Sequence, residues 1–556
     1  MKRLGVLLIV LLTSCGGSFQ DIDRRVDVYM SSASEGINAR PPSTRVMDLD
    51  NPPSSITDPS PPTTNPSIDE LIFIPAGALD MDAVEKSLDG AAEDLGASGS
   101  VLSLQAALAW ADTHAREIQF AEYDYLSLTL SLLSELHLWG PRFFNTINTG
   151  IAADSSDGLY SSSLTVVNDF SVSRRLPYGG TVSAGALTSI ARSLHTTATS
   201  SNAASTTFDI AVEIPLLRGS GVVARESLIN AKRNLVYGAR SYERFRRKFF
   251  RTISGDFLSL VVQKQSIENA QRGVRSLRQL AERQEALYVS GRKTLYDKAN
   301  AENQALAAVA RLSQSWERYR LALDRFKIRI GWPIEEPVQV EPSTLGVVPP
   351  SVDFSEAVQN ALLYRLDLQN ERDRVADTQR NVKNALDDLL PSMTFTASAS
   401  IDSETDTTTS FDEREVDYLV GLSVSLPLDR EIERIAVRQQ QIALERARRN
   451  YRESRDRVAV EVRSALRNIE VFQFSLDLQE QNVTIAKLGL AAINADPDRV
   501  SVLDQTRAIS DLQSAQDARD SARRDLELSI IDYLLQAGQL RINDSGGLLL
   551  PEDNLK

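Results

Sequence analysis

Two long stretches of this chain contain no proline and repeat apolar residues at seven-residue intervals. The first spans 222–288, and the second spans 428–496 with one glycine, Gly489. The repeating residues are Ile253, Leu260, Ile267, Val274, Ala281 and Tyr288 in the first stretch, and Val462, Ile469, Leu476, Val483 and Leu490 in the second. A repeat of seven indicates helices that supercoil around one another. At 1.5 Å per residue each helix would be about 100 Å long, whereas helices of globular cores average about a dozen residues.

An alternating segment that ends at a proline precedes each long helix. "TFDIAVEI" places Phe208, Ile210 and Val212 on one face, and "YLVGLSVSL" alternates in the same way before the second proline. A soluble two-stranded ribbon would be marginally stable. A closed barrel, apolar outside and polar inside, satisfies both the backbone and the alternation. One chain supplies too few strands for such a barrel, so closure requires several copies.

The chain also contains an internal duplication. "LSLQAALAWADTHAREIQFAEYDY" near 102 is similar to "VDFSEAVQNALLYRLDLQNERDR" near 352, and each precedes a proline, strands and a long helix. The predicted repeats are residues 101–340 and 341–540, followed by a C-terminal tail, 541–556. Each long helix breaks near a turn, and a further helix follows.

The beginning of the chain is typical of export. Residues 1–14 have a basic start and a short apolar run, which predicts a signal peptide. The following "LTSCGG" resembles a bacterial lipoprotein signal, and this resemblance implies cleavage before Cys15, acylation of that residue and delivery to the outer membrane. The alternative is an ordinary signal peptide with an incidental cysteine. Residues 15–100 are predicted to be a lipid-anchored extension, in which the proline-, serine- and threonine-rich segment 41–67 forms a tether.

Composition argues against several classes of function. A net charge of −14 disfavours a nucleic-acid partner. The three histidines form no ligand-spaced cluster, and the chain has no phosphate-binding loop of the Walker type, so we expect neither an enzyme nor a cofactor or metal site. Two basic stretches, 240–250 and 446–457, are interpreted as solvated faces of coiled-coil helices with partners in neighbouring helices.

The order of these segments resembles the plan of the TolC-like outer-membrane factors. The resemblance is carried by the junctions "IPLLRGSG" and "LPLDREIE", the opening "LSLQAALAWA" and the glycine-led "VSGRKTLYDKANAEN". It implies a mainly α-helical fold with a β-barrel portion. In that fold a trimeric outer-membrane β-barrel continues as a periplasmic α-helical coiled-coil barrel.

The resemblance assigns a set of residues to the junctions between strands and helices at the membrane–periplasm boundary. These residues are Pro141, Pro215, Gly219, Gly221, Pro391 and Pro427. A proline has no N–H, which ends strand pairing, and its fixed φ suits the start of a helix. The two glycines would ease the bend in the first half. The second half has no such glycines, so we expect its junction to be built differently.

The number of strands is open in the first half. Residues 141–215 form a longer segment than the corresponding one between Pro391 and Pro427 in the second half. "LPYGG" at 176–180 has the composition of a hairpin turn. The first half could therefore hold four strands instead of the two that the resemblance implies. Three chains would give twelve strands, or eighteen if the additional hairpin joins the wall, and we favour twelve.

The resemblance further implies that carboxylates ring a periplasmic aperture. Asp504 falls on one of the family's two carboxylate positions, and Ser501 falls on the other. A ring of Asp504 side chains would attract cations, although an aspartate at this place also suits a helix start. Asp496 and Asp498 are further candidates, although both also suit a turn.

The function implied by the resemblance is that of a passive exit duct. It would work as a homotrimer with a periplasmic adaptor and an inner-membrane pump of the RND or ABC type, in efflux or in type I secretion. Candidate adaptor-docking residues at the first helix tip are Gly291, Leu295 and Asp297. The alternative is a non-conducting, lipid-anchored coiled-coil structural protein of the periplasm. Such a spacer would not need two-faced strands at matched places in both halves.

Overall fold

The computed structural model describes residues 19–37, 39, 41, 100–156, 159–195, 203–342, 346–350, 352–404, 407–495, 500–542 and 548–549. Cys15, Asp496 and Asp498 lie outside the described residues. The signal peptide lies outside them as well, as does the tether apart from its first residue. The predictions for these parts therefore stay predictions.

Long helices and an antiparallel sheet dominate the described part of the chain. Its helices are α1 Phe19–Glu35, α2 Leu104–His114, α3 Arg116–His137, α4 Glu226–Val289, α5 Leu295–Ile330, α6 Phe354–Tyr364, α7 Leu366–Asp387, α8 Glu431–Ala495 and α9 Val502–Gln536. Its strands are β1 Ser100–Leu102, β2 Arg142–Ser156, β3 Leu159–Arg175, β4 Thr181–His195, β5 Ala203–Pro215, β6 Val338–Val340, β7 Ser392–Ser403, β8 Phe411–Ser425, β9 Arg541–Ile542 and β10 Leu548–Leu549.

The two predicted long helices are confirmed. Helix α4 has 64 residues and α8 has 65, so each is about 100 Å long. Their apolar repeats face inward at several positions, since Ile253, Ile267, Val462 and Ile469 are buried. The same order of elements occurs in both halves: a helix pair, strands, a long helix, a turn and a final helix. The predicted duplication is therefore present in the fold, while its domain boundaries stay predictions.

The chain forms two compact units, and each unit takes segments from both halves of the sequence. One unit comprises Met1–Ala39, Asp124–Arg240 and Asn370–Glu453, and it contains the large sheet. The other comprises Arg40–Tyr123, Ser241–Gln369 and Ser454–Lys556, and it contains the two helix tips.

The large sheet has six antiparallel strands in the order β2-β3-β4-β5-β7-β8. The first half contributes four of them, because β3 and β4 lie between β2 and β5 and pair with both along most of their length. Strand β5 pairs with β7, which joins the two halves. The preference for four strands in each chain was wrong, while the number in an assembly of three chains stays a prediction. The extra hairpin is part of the sheet.

The helix that precedes the strands is broken in both halves, which the sequence did not predict. Ala115 separates α2 from α3 and has extended backbone, and Arg365 separates α6 from α7 in the same way. A left-handed glycine lies at each break. A Cβ on Gly331 would lie 2.3 Å from the carbonyl oxygen of His114, and one on Gly538 would lie 3.0 Å from the carbonyl carbon of Tyr364.

The first basic stretch, 240–250, is a buried network, so its interpretation as a solvated face was wrong. Glu243 lies 2.7 Å from the guanidinium of Arg247 and 3.3 Å from that of Arg246, and all three side chains are almost completely buried. Tyr242 donates a hydrogen bond of 2.9 Å to Glu122, and burial raises the pKa of its hydroxyl. The second stretch, 446–457, is mostly exposed in the single chain, as predicted.

Candidate functional site

The six-stranded sheet has one strongly apolar face. Residue partners across the strands share a face, so the register extends this face over the whole sheet. One row across it is Phe143, Val172, Ala184, Ile210, Ala399 and Tyr418. Its exposed large side chains are Phe143, Ile147, Ile151, Phe170, Ile190, Phe208, Ile210, Tyr418, Val420, Leu422 and Val424. A contiguous apolar surface of this size on a single chain marks a surface that contacts a membrane or another protein.

The opposite face of the sheet is largely polar. The neighbouring row across it is Phe144, Ser171, Gly185, Asp209, Ser400 and Asp417. Asp169 and Asp402 lie in the next row on the same face, and Thr207 donates a hydrogen bond of 2.6 Å to Asp402. Apolar exceptions such as Leu187 and Leu419 are present on this face. A water-filled space beside this face would therefore be lined mainly by hydroxyls and carboxylates.

One polar row interrupts the apolar face. It contains Asn168, Thr188 and Thr206, which are register partners on β3, β4 and β5. The hydroxyl of Thr206 donates to that of Thr188 at 3.3 Å, and the Thr206 N–H donates to the Ser403 hydroxyl at 2.8 Å. These bonds satisfy the Thr206 N–H and pair the two threonine hydroxyls, which reduces the cost of placing them on an apolar face. Within the described chain the Oδ1 atom of Asn168 is buried without a hydrogen bond.

The first strand-to-helix junction bends at glycines. Pro215 ends β5, and the following Gly219 and Gly221 have φ of 77° and 70°. The Gly219 N–H donates to the carboxylate of Asp387 at 2.7 Å, and Arg218 lies 3.2 Å from Asp388. The acidic end of α7 therefore holds the bend at the beginning of α4.

The second junction is built from a different set of groups. The guanidinium of Arg430 donates to the carbonyl of Pro427 and to the carbonyl of Leu389, both at 3.0 Å. The side chain of Asp429 accepts the N–H of Glu431 at 3.0 Å. Arg430 thus links the two ends of the β7–β8 segment and replaces the glycine bend of the first half.

Two of these junction groups were missed by the sequence reasoning, namely the Arg430 guanidinium and the Asp387 carboxylate. "LPLDREIE" shows Arg430 beside the proline, but its partner Leu389 lies 41 residues away in the chain. Of the other junction prolines, Pro141 directly precedes β2 and Pro391 directly precedes β7.

The first helix tip is a glycine turn followed by a capped helix. Gly291 has φ of 70°, and Thr294 and Asp297 form a capping box at the beginning of α5. Hydrogen bonds from the Thr294 hydroxyl and backbone N–H lower the pKa of the Asp297 carboxyl. Leu295 and Tyr296 are 62% and 76% exposed, so this tip presents apolar side chains to its surroundings.

The second tip has a related cap. The side chain of Ser501 accepts the Asp504 N–H at 3.1 Å, and its hydroxyl lies 2.6 Å from the Asp504 carboxylate. Thr294-x-x-Asp297 and Ser501-x-x-Asp504 therefore hold matching positions in the two halves, although the described bonds complete a capping box only at Thr294. The structure assigns Asp504 a helix-capping role, while its predicted role at an aperture stays a prediction.

Within the described part of the chain, no helix is both long enough and apolar enough to span a bilayer.

Comparison with known proteins identifies the fold. Residues 357–529 match the outer membrane efflux protein family. The Campylobacter jejuni CmeC outer membrane channel is 15% identical with a TM-score of 0.60, over 80% of this chain and 86% of that one. The outer membrane protein VceC from Vibrio cholerae is 14% identical with a TM-score of 0.59, over 78% and 96% of the two chains.

The Neisseria gonorrhoeae MtrE outer membrane channel in its open state is 16% identical, with a TM-score of 0.56 over 78% of this chain and 88% of that one. No curated protein sequence matches the chain. The predicted resemblance to the TolC-like outer-membrane factors is confirmed. The predicted fold class, mainly helical with strands in a duplicated plan, is that of these channels. The outer-membrane factor fold therefore accounts for both the long helices and the two-faced sheet.

Proposed function

We propose that three copies of the chain form a passive exit duct across the outer membrane. The single observation that carries this proposal is the two-faced sheet, exposed and apolar on one face and polar on the other. Its outermost strands, β2 and β8, pair on one side only within the described sheet. Pairing β8 of one copy with β2 of the next would satisfy these edges and close a barrel with lipid outside and water inside.

The long helices support the rest of this proposal. They would form a periplasmic tunnel that continues the barrel, and their apolar repeats would pack between neighbouring helices. Acylated Cys15 would anchor each copy to the outer membrane. The energy for export would come from an inner-membrane pump, reached through a periplasmic adaptor. The exposed Leu295 and Tyr296 of the first tip and Leu503 of the second tip are the groups that suit adaptor docking.

Single-channel recording tests this function directly. We expect the purified trimer to insert into planar bilayers and to give stepwise ion conductance. A matched preparation that is heated to dissociate the trimer should give none. A folded trimer that never conducts would exclude the duct and would leave the non-conducting spacer as the explanation of the long helices.

Neutral substitutions at the two related caps test the proposed aperture. Asp504→Asn and Asp297→Asn each remove one charge at the matching position of the two tip helices, so we expect a loss of helix stability of about 1 kcal/mol or less in each variant. If Asp504 lines the aperture, only Asp504→Asn lowers the preference of the channel for cations. The measurement is the reversal potential in a salt gradient for each variant. Equal reversal potentials would show that Asp504 acts as a cap alone.

A further inference from the structure

The first half of the sheet contains a hairpin that the second half lacks. In the second half β7 and β8 pair directly with each other, whereas in the first half β3 and β4 lie between β2 and β5. Strands β2, β5, β7 and β8 each adjoin a helix along the chain. Strands β3 and β4 are connected to each other by the turn at 176–180 instead. The extra hairpin therefore adds to the sheet without adding a helix.

This hairpin continues both faces of the sheet. Val166, Phe170 and Ile190 lie on the apolar face, while Asp169 and Ser171 lie on the polar face. Its pairing with the flanking strands extends from Arg142↔Ser173 to Ser156↔Leu159 on one side, and from Thr181↔Glu213 to Ala191↔Ala203 on the other. An element that pairs along its length and keeps the alternation is part of the wall rather than a plug or an external flap.

The turn of the hairpin is fitted closely to the first junction. The Gly221 N–H donates to the Tyr178 carbonyl at 2.8 Å. A Cβ on Gly180 would lie 2.0 Å from the Glu213 carbonyl oxygen, and one on Gly179 would lie 2.9 Å from the Pro215 ring. Both glycines also have positive φ. The turn is thus seated against the end of β5, and this contact fixes the hairpin in the sheet.

We propose that the barrel has eighteen strands and encloses a wide, water-filled lumen that admits bulky hydrophilic solutes. This proposal rests on the proposed trimer, since six strands from each of three copies give eighteen. The diameter of a barrel grows roughly linearly with strand number, so eighteen strands enclose a lumen about 1.5-fold wider than twelve, in the range that leaves an aqueous channel in porins. Hydroxyls and carboxylates line it, which selects polar cargo.

Adjacent cysteine substitutions in β3 test whether the hairpin lines the lumen. Ser171→Cys places a thiol on the polar face, and Val172→Cys places one on the apolar face. A charged, water-soluble thiol reagent added to the open channel should change the conductance of Ser171→Cys and leave that of Val172→Cys unchanged. The unsubstituted chain, whose one cysteine is Cys15, is the reagent control. Equal responses of the two variants would show that the hairpin does not form the wall.

The width of the barrel lumen can be tested with polyethylene glycols of increasing size, added on the external side, by finding the largest polymer that still enters the channel. The comparison variant replaces residues 157–202 with Asn-Gly, a two-residue hairpin turn. Its register pairs Ile147 with Val212 and Ile151 with Phe208, which keeps the apolar face continuous. We expect the largest polymer that enters the native channel to be about 1.5-fold wider than the largest that enters the variant. Equal cut-offs in two conducting channels would overturn the wide barrel and leave the duct intact.

A strand count by electron cryo-microscopy of the native trimer decides the question if the shortened variant does not assemble. Eighteen strands support the proposal, and twelve strands with the hairpin outside the wall overturn it. A native trimer that does not conduct would be a separate result, because it would contradict the proposed duct itself.

Discussion

Val420→Arg is expected to destabilise the assembled channel strongly, whereas Leu419→Arg is not. The two residues are neighbours in β8 and are 72% and 66% exposed, but they lie on opposite faces of the sheet. Val420 is on the apolar face, where an arginine in contact with lipid costs about 2–4 kcal/mol at the bilayer midplane and less toward the interfaces. Leu419 is on the polar face, where the guanidinium would remain in water.

The measurement is the free energy of unfolding of each variant in lipid vesicles, from denaturant titration. The matched exposure of the two residues is the control, because a soluble protein would tolerate arginine equally at both places. Similar losses for the two variants would contradict a lipid-facing surface on this side of the sheet.

Glu243→Gln is expected to lower the free energy of unfolding by about 3–5 kcal/mol, which is typical of breaking a buried ion pair. Glu243 is the carboxylate between Arg246 and Arg247, and all three side chains are at most 6% exposed. A neutral glutamine would remove the anion that both buried guanidiniums share, and would leave Arg246 with the more distant Asp112 at 3.6 Å and Arg247 with the Gly538 carbonyl at 3.3 Å. The substitution keeps the size and shape of the side chain, so the loss reports charge rather than packing.

Glu445→Gln is the control for this prediction. Glu445 also pairs with an arginine four residues later in a long helix, Arg449 at 3.2 Å, but both side chains are largely exposed. Exposed pairs of this kind contribute about 0.5 kcal/mol or less. The measurement is thermal or denaturant unfolding followed by the helical circular dichroism signal. Equal losses in the two variants would show that the buried network does not contribute in the way that its geometry indicates.

The parts of the fold that depend on local patterns could be predicted from the sequence. The seven-residue spacing of Ile253, Leu260 and Ile267 predicted a helix of the correct length, and these side chains are buried. The alternation of Phe208, Ile210 and Val212 predicted a strand with one apolar face. Both patterns repeat along a few neighbouring residues, so no knowledge of distant contacts was needed.

The parts that depend on distant contacts could not be predicted. "LPYGG" was a visible turn, but whether its hairpin joins the sheet depends on pairing with β2 and β5, which local sequence does not specify. The helix break at Ala115 has no glycine or proline beside it in the sequence, because the close contact is made by Gly331. The buried state of Arg246 and Arg247 likewise depends on packing rather than on composition.

The candidate site was predicted unevenly for the same reason. The junction prolines and the bend at Gly219 and Gly221 follow from backbone chemistry that each residue carries itself. The Arg430 bond to the Leu389 carbonyl required the fold to bring the two together. Asp504 was assigned by its position in the family resemblance, and the structure adds that its carboxylate accepts a hydrogen bond from the Ser501 hydroxyl at the helix start.

A nitroxide scan along β8 tests the central claim most directly, namely that the sheet is a membrane wall with lipid on one face and water on the other. Spin labels would be placed one at a time at residues 415–424 of the trimer in lipid vesicles. The accessibility of each label would be measured to two relaxing reagents, oxygen, which enters lipid, and a nickel chelate, which stays in water. We expect the two accessibilities to alternate from residue to residue in opposite phase, with oxygen dominant at Tyr418, Val420 and Leu422. Accessibility to the nickel chelate at all ten positions, or to neither reagent at any of them, would contradict this claim.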